Sequence, residues 1–207
     1  MRKAFTLIEL LVILVIGGIL VGFLLPAIKG AREGAKRTLC ANNLRQIGMG
    51  FAMYIDEHNF KYPILNNPNF TPPNPWQKLI MPYLKDPKVW NCPSYKYSDY
   101  NRIDDGSYSS YGYNYQAFNT TLGFFTYVAK DASTITKPSR TILLADSGDW
   151  DPEDPEMTGI YFVEKTFTMG DRHNLGANVI FADYHVGWYL RTFLMTSGQE
   201  GYTWWGY

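Results

Sequence analysis

The sequence predicts an α+β fold in which a long N-terminal helix packs on a small antiparallel β-sheet. The first observation is an apolar run over residues 5–28 in which Glu9 is the only charge, which indicates a helix. The second is a set of later segments rich in β-branched and aromatic residues, which is typical of strands. The third is length: about 150 residues follow the long helix, enough for one modest globular domain.

The first part of the helix is long and apolar enough to cross a membrane. Its 24 residues reach about 36 Å at 1.5 Å per residue, which spans the hydrocarbon core. A cleaved secretory signal has a shorter apolar run that ends in small residues, whereas this run continues through Pro26 to Lys29 and Arg32. We therefore expect residues 5–28 to be a membrane helix rather than a buried core helix. Basic residues lie on both sides, so loop charge alone does not fix its orientation.

The helix is expected to continue past the membrane as an amphipathic half over residues 29–60. An apolar stripe, mostly at spacings of four, indicates the face that packs on the rest of the chain. Gly48 and Gly50 weaken the intrinsic helix propensity, so packing must hold this part. Pro26 should kink or loosen the helix, and Pro63 ends it at the latest. The predicted stripe comprises Ala31, Ala35, Leu39, Leu44, Ile47, Phe51, Tyr54 and Ile55.

Residues 61–207 are predicted to form a loop-rich globular β domain. Repeated prolines exclude regular structure up to Pro75, and WQKLIMPYL at 76–84 predicts a short helix broken at Pro82. The last two predicted strands form a hairpin around Asp183 and Tyr184. The predicted strands are FFTYVA, RTILLAD, TGIYFVE, GANVIFAD and HVGWYLRTF.

The charge composition argues against a nucleic-acid partner. The 19 basic and 19 acidic residues give a formal net charge of zero, and there is no basic stripe of the kind that binds nucleic acid. Aromatic residues make up 16% of the chain, and large rings supply burial in a small domain with much loop. We therefore expect no nucleic-acid partner.

The N-terminus resembles a type IV prepilin. MRKA followed by FTLIELLVILVIGGIL is similar to a short basic leader, a small residue and the start of a mature pilin. The resemblance implies that residues 1–4 are a leader, that a prepilin peptidase cuts between Ala4 and Phe5 on the cytoplasmic side, and that the new amine of Phe5 is methylated. Glycine is usual before the cut, so Ala4 is a tolerated departure.

The resemblance also implies a role for Glu9. A charge deep in hydrocarbon is unfavourable by roughly 2.5–3.5 kcal/mol on insertion scales. Glu9 is the fifth residue of the processed chain, and in pilin-like filaments this glutamate is expected to meet the cationic amine of Phe5, from a neighbouring subunit or its own chain. Such a pair offsets much of the desolvation. The alternative is a glutamate at headgroup level that needs no partner.

The remaining chain resembles pilin-like proteins with an H-x9-D-G processing-associated domain, common in planctomycete-type bacteria. The resemblance rests on RTLCANNLRQIGMGFAMYIDEHNFKYP, CPS, YGYN, PSRTILLADS and RHNLGANVIFADYHVGW. Nine residues separate His173 from Asp183, and Tyr184 stands where the pattern has glycine. We interpret both motif residues as structural, fixing the hairpin that closes the sheet, rather than as a catalytic base and its orienting carboxylate. Asp-Gly suits a type I′ turn, so Tyr184 predicts a different turn or a bulge.

The two cysteines, Cys40 and Cys92, allow a disulfide. A translocated domain meets oxidising conditions in which a disulfide persists, and closing about 50 residues contributes roughly 4 kcal/mol in the chain-entropy model. The bridge would tie the proline-rich loop to the helix. The alternative is two free thiols, one on the helix face and one in a loop.

An acidic segment, DSGDWDPEDPE, holds six carboxylates in eleven residues. Calcium takes oxygen ligands at flexible spacing, and secretion pseudopilins related by the resemblance often bind calcium in a loop before the C-terminus. The segment lacks the EF-hand order and its glycine. A solvated acidic loop is the favoured interpretation, and calcium is the alternative. The candidate calcium ligands are Asp146, Asp149, Asp151 and Asp154.

The sequence as a whole is interpreted as a structural subunit of a type IV pilin-like filament and not as an enzyme, since no G-x-S-x-G, H-E-x-x-H or P-loop spacing appears. The expected partners are copies of itself, other pilin-like subunits, the prepilin peptidase and the bacterial inner membrane, followed by a periplasmic or surface filament. A type II secretion pseudopilin and a subunit of a long surface pilus both remain open. A different class is a membrane-anchored binding protein that never polymerises.

Overall fold

A computed structural model describes residues 6–67, 74–95, 110–123, 126–148 and 170–196. The dominant element is helix α1, Leu7–Glu57, of 51 residues. Thr6 caps its start, and its end is followed by Asn59 and Phe60 with φ of 53° and 58°, a left-handed geometry that cannot continue a helix. The helix runs unbroken across Pro26. The proline therefore removes one backbone donor without ending the helix.

The other elements are short. The helices are α2, Trp76–Ile80, α3, Tyr115–Phe118, and α4, Arg191–Thr196. The strands are β1, Asn66–Asn67; β2, Asn74–Pro75; β3, Tyr111–Tyr113; β4, Asn119–Gly123; β5, Thr126–Ala129; β6, Ile142–Asp146; β7, Gly176–Phe181; and β8, Val186–Leu190.

Within the described residues, the main sheet has four strands in the order β3-β6-β7-β8, and every pair is antiparallel. The pairs β1–β2 and β4–β5 form two separate two-stranded sheets. The α+β prediction, a long N-terminal helix packed on a small antiparallel sheet, is confirmed.

Several element predictions are confirmed and others need correction. The helix at 76–84 does break at Pro82, where a 3-10 turn, Met81–Tyr83, replaces α2. Strand β3 was not predicted, and β1 and β2 pair inside the stretch from which regular structure was excluded. The predicted last strand ends at Leu190 because the chain turns into α4. The predicted strand TGIYFVE lies outside the described residues.

The core lies between the second half of α1 and one face of the main sheet. The buried helix residues are Cys40, Leu44, Ile47, Gly48, Gly50, Phe51 and Ile55. Large rings pack beside them: Phe51 lies 5.4 Å from Trp76 and 5.5 Å from Tyr113 between ring centroids. These rings supply burial that short strands could not.

The predicted apolar stripe is correct only in its second half. Ala31, Ala35 and Leu39 are exposed, and Leu39 retains 54% of its accessible surface. In this part of the helix Cys40 is buried and Glu33 is half-buried, whereas Ala35 is exposed. The side that faces the domain therefore carries Glu33 and Cys40 and not the predicted alanines. Spacing alone could not choose between the faces, because alanines and polar residues occur on both.

Strand β7 is buried at every position, on both faces. Ile180 belongs to the core on the α1 side. Val179 and Phe181 belong to a second apolar cluster, which is closed by Leu194 of α4. The strand is thus sandwiched between the long helix and the C-terminal helix.

Gly48 sets how closely α1 approaches β7. A Cβ placed on Gly48 would lie 2.3 Å from Cδ1 of Ile180 and 3.5 Å from a ring carbon of Tyr184. Ile180 is fully buried, so its side chain has little room to move away. In contrast, a Cβ on Gly34 of the same helix would meet nothing within 4 Å.

We expect Gly48→Ala to be less stable than Gly34→Ala by about 1–3 kcal/mol, because overpacking opposes the gain in helix propensity at one site only. Thermal unfolding of the full chain in detergent, followed by near-ultraviolet circular dichroism, measures the difference. Gly34→Ala is the matched control and should equal or exceed the wild type. Equal melting temperatures for the two variants would contradict the close approach.

Candidate functional site

The N-terminus of α1 carries a capping box made by Thr6 and Glu9. The Glu9 carboxylate accepts hydrogen bonds from the Thr6 N–H at 2.9 Å and from the Thr6 hydroxyl at 2.7 Å, and the Glu9 N–H donates to the Thr6 oxygen at 3.4 Å. The sequence reasoning missed this role, although the T-x-x-E spacing signals it. Glu9 therefore has a function within its own chain besides any pairing with an amine. Ala4 and Phe5 lie outside the described residues.

The apolar half of α1 is exposed along its length. From Leu7 to Ile28 every side chain is exposed, Pro26 included. Within the described residues, α1 contains the one helix segment long and apolar enough to cross a membrane, and none of that segment is buried. This half therefore needs an environment that the folded domain does not supply.

A second site forms where α1 meets the domain, and we call it the junction cluster: Glu33, Cys40, Cys92, Asp146 and His173. Cys40 and Cys92 form a disulfide with Cα atoms 5.2 Å apart, and both are fully buried. The bridge links α1 to the loop that follows the 3-10 turn Pro87–Trp90. The predicted pairing of these cysteines is thus present in the structure.

His173 lies at the centre of the junction cluster and is fully buried. Its Nδ1 is 3.1 Å from Oε1 of Glu33, and its Nε2 is 3.3 Å from Sγ of Cys92 and 3.7 Å from Oδ2 of Asp146. Its backbone carbonyl accepts the indole N–H of Trp188 at 2.9 Å. Side chain and backbone together therefore join α1, the disulfide, β6 and β8.

The turn after His173 explains how that side chain is aimed inward. Asn174 and Leu175 have φ of 55° and 61°, and His173 and Gly176 exchange both backbone hydrogen bonds at 3.3 Å. These are the features of a two-residue type I′ connection. The geometry that Asp-Gly was expected to give later in the motif thus occurs at Asn174 and Leu175.

Glu33 is held by three neighbours. The Ser94 hydroxyl donates to its Oε1 at 2.8 Å, and Nζ of Lys36 is 3.8 Å from Oε2. Partial burial favours the neutral carboxyl, but the hydrogen bonds from Ser94 and His173 and the charge of Lys36 outweigh it, so the pKa of Glu33 lies below its ordinary value. The carboxylate therefore stays ionised beside His173 at neutral pH.

Asp146 is the buried acid of the junction cluster, at the end of β6. Its Oδ2 accepts hydrogen bonds from the backbone N–H of Asn178 at 2.7 Å and from the Asn178 amide at 3.1 Å. Oδ1 has no hydrogen-bond partner in the described part of the chain. Burial raises the pKa of Asp146, although Arg172 and His173 oppose the shift.

The sequence analysis did not identify Glu33 or Asn178 as site residues. The available signal for Glu33 was that it is the one acid among the basic residues that follow the apolar run.

Asp183 does not join His173. The two residues flank β7, whose six residues span about 20 Å. Oδ1 of Asp183 instead accepts the backbone N–H of His185 at 3.2 Å, as expected of an Asp in a turn, and lies 2.5 Å from Nδ1 of that histidine. The separation removes the geometric basis for a His173–Asp183 base and orienting pair.

Tyr184 changes the turn, as predicted. Tyr184 has a positive φ of 69°, whereas Ala182 and Asp183 do not. The N–H of Tyr184 donates to the carbonyl of Phe181 at 2.8 Å. One left-handed residue after a tight turn fits a bulged hairpin rather than type I′. Tyr184 is half-buried against the core, and that packing offsets the strain of its backbone.

The candidate calcium ligands are only partly described. Asp146 is engaged inside the sheet, while Asp149, Asp151 and Asp154 lie outside the described residues. Calcium binding by this segment therefore stays a prediction.

Comparison with known proteins gives two family matches. Residues 1–25 match the prokaryotic N-terminal methylation motif, and residues 29–101 match a family described as a protein of unknown function, DUF1559. No curated protein and no solved structure matches the chain. The first match covers Ala4, Phe5 and Glu9, and the second covers Glu33 and both cysteines. Neither description names a catalytic activity.

We expect His173→Ala to lower the free energy of unfolding by about 2–5 kcal/mol, because it empties a buried site and removes one of the three groups that hold the Glu33 carboxylate. Asp183→Ala removes only an exposed turn bond, so its loss is about 1 kcal/mol. Denaturant unfolding of the full chain in detergent measures both. Equal losses, or an unchanged His173→Ala variant, would contradict the central role of the junction cluster.

Proposed function

We propose that this prepilin-type protein, whose residues 29–101 match the family described as DUF1559, is a structural subunit of a type IV pilin-like filament. A prepilin peptidase would cut between Ala4 and Phe5, methylate the amine of Phe5, and leave Glu9 as the fifth residue. The observation that carries the proposal is the exposed apolar half of α1, most of which lies within the match to the methylation motif at residues 1–25. Such a helix needs a membrane first and then neighbouring helices.

The outer face of α1 supports packing against another helix beyond the membrane. Leu39, Met49 and Met53 are exposed at 54%, 55% and 53%. Their spacing, together with the exposed Asn42 and Gln46 between them, follows a repeat of about 3.5 residues, which is the seam of a helix packed on a second helix. This seam continues from the exposed apolar half, so one face of the rod can contact a neighbour along most of its length.

Glu9 would set the register between subunits. Among the residues that the structure describes, its carboxylate is bonded by Thr6, and both residues are exposed. Cleavage before Phe5 creates a cationic amine one residue before Thr6. Pairing this amine with Glu9 of a neighbour offsets the desolvation of both charges inside a helix bundle.

The alternative is a membrane-anchored protein with a pilin-like domain that never polymerises. It requires the same helix and the same processing, but no contact along the outer face of α1. Among filaments, a short secretion pseudopilus and a long surface pilus remain separate candidates. Electron microscopy of sheared cells distinguishes all three, since only a surface pilus is released in quantity and a pseudopilus appears on overproduction.

We expect Glu9→Ala to insert into the membrane normally but to form few or no filaments, because the partner of the Phe5 amine is gone. Thr6→Ala is the control: it removes the cap, at a cost of about 0.5–2 kcal/mol, yet keeps the carboxylate. Cell fractionation and filament counting after overproduction give both readouts. A normal filament yield from Glu9→Ala would show that the Glu9 carboxylate is not needed for assembly.

We expect the processed chain to begin with N-methylated Phe5. Intact-mass and N-terminal peptide mass spectrometry of the subunit purified from membranes reads this directly. Ala4→Gly, which restores the usual residue before the cut, should be processed at least as completely. A mature chain that begins after Phe5, or assembled subunits that retain residues 1–4, would refute the assignment.

A further inference from the structure

We propose that the junction cluster binds one Zn²⁺ ion when Cys40 and Cys92 are reduced, with both thiolates, Nε2 of His173 and a carboxylate oxygen of Asp146 as ligands. The four donor atoms lie within 4.8 Å of one another, and all four residues are fully buried. Two sulfurs, one imidazole and one carboxylate form a donor set that zinc accepts in tetrahedral sites.

The distances fit a tetrahedral ion. Zinc lies roughly 2.0–2.2 Å from nitrogen and oxygen ligands and about 2.3 Å from sulfur, so ligand atoms sit about 3.4–3.8 Å apart. Nε2 of His173 is 3.7 Å from Oδ2 of Asp146 and 3.3 Å from Sγ of Cys92. Opening the disulfide removes the covalent bond that holds the two sulfurs together, so that they can separate to the spacing of two zinc ligands.

The hydrogen bonding of His173 points to a cation at Nε2. Both ring nitrogens face acceptors: Nδ1 faces the Glu33 carboxylate, and Nε2 faces Asp146 and a sulfur. A neutral imidazole has one N–H. If that hydrogen lies between Nδ1 and the ionised Glu33, the Nε2 lone pair is directed at two electron-rich groups, which is the position a metal ion occupies.

A second, independent observation is the unsatisfied oxygen of Asp146. Its Oδ1 is buried and makes no hydrogen bond within the described residues, and such an atom is costly unless something binds it. Asn178 bonds the other oxygen and fixes the carboxylate plane. The carboxylate is thus held in place with one free acceptor atom, while its other oxygen lies 3.7 Å from Nε2 of His173.

The surroundings match those of a metal-binding histidine. Such a histidine usually donates its other ring N–H to a carboxylate or carbonyl, which fixes the tautomer. Glu33 is that carboxylate, and Ser94 and Lys36 hold it in turn. Glu33 is therefore a positioning residue for the metal, and the cluster has both the ligands and the groups that orient them.

Zinc would make the same connection that the disulfide makes. Binding replaces two thiol protons by the metal, and the ion then links α1 to the loop of Cys92 before any oxidation has occurred. The disulfide form has lost both thiolates, so it does not bind. The redox state of Cys40 and Cys92 thus selects between two crosslinks of one junction.

The test uses the full chain in detergent, reduced with a phosphine under anaerobic conditions, freed of metal and titrated with Co²⁺. We expect one Co²⁺ per chain, with the intense visible bands of tetrahedral cobalt and a near-ultraviolet thiolate charge-transfer band, both abolished by Zn²⁺. The oxidised wild type, identical in sequence, should show neither. No tetrahedral spectrum from the reduced chain, or the same spectrum from the oxidised chain, would overturn the proposal.

Variants assign the ligands. Cys40→Ser should lose the charge-transfer intensity of one thiolate, and His173→Gln and Asp146→Asn should weaken Co²⁺ binding. Glu33→Gln should weaken it by about 10–100-fold through the histidine. His185→Ala is the matched control, since this exposed histidine pairs with Asp183, and it should bind as the wild type does. Wild-type affinity in His173→Gln would refute the site.

Thiol alkylation of the wild-type chain tests the site without any substitution, so its result does not depend on whether a variant folds. Zn²⁺ should slow alkylation of the two thiols in the reduced chain by at least about tenfold, because the metal lowers the free thiolate population. Equal alkylation rates with and without Zn²⁺ would contradict the proposal, and a protected pair would support it.

Discussion

The close packing of α1 on β7 is the contact on which the rest of the structure depends. Gly48 lets the helix backbone approach Ile180 more closely than any side chain at that position would allow. The rings of Phe51, Trp76 and Tyr113 then fill the space beside it. Helix α1 supplies one side of the core along its second half. The described sheet, with four short strands, supplies the other side.

This arrangement gives one helix two environments. Its second half is half-surrounded by the domain, while its first half is exposed throughout. Helix α1 therefore connects the globular domain directly to whatever surrounds its apolar half. The proposed filament role would use such a link, and α1 is continuous across Pro26.

The junction cluster reinforces the point where the two halves meet. The disulfide ties α1 to a loop, and His173 connects Glu33 of the helix to the sheet end at Asp146. Arg37 adds a further contact, with its guanidinium 5.2 Å from the centre of the Trp188 ring. The first residue of the H-x9-D pattern thus serves the helix, and the second serves a turn about 20 Å away along β7. Their separation in space explains why they are better understood as two structural anchors than as one site.

The sequence by itself determined the long helix, its apolar half, the prepilin-type start and the break at Pro82. All of these follow from local composition, period or covalent restriction, which the chain carries at every position. Tertiary structure alone decided which face of residues 31–39 packs on the domain, that YGY forms a strand, and that Glu33, Asp146 and His173 meet. The physical reason is that these depend on partners 27 to 140 residues away in the chain. Alanine or a lone acid is compatible with either face of a helix until the opposing surface is present, and that surface exists only once the sheet has formed.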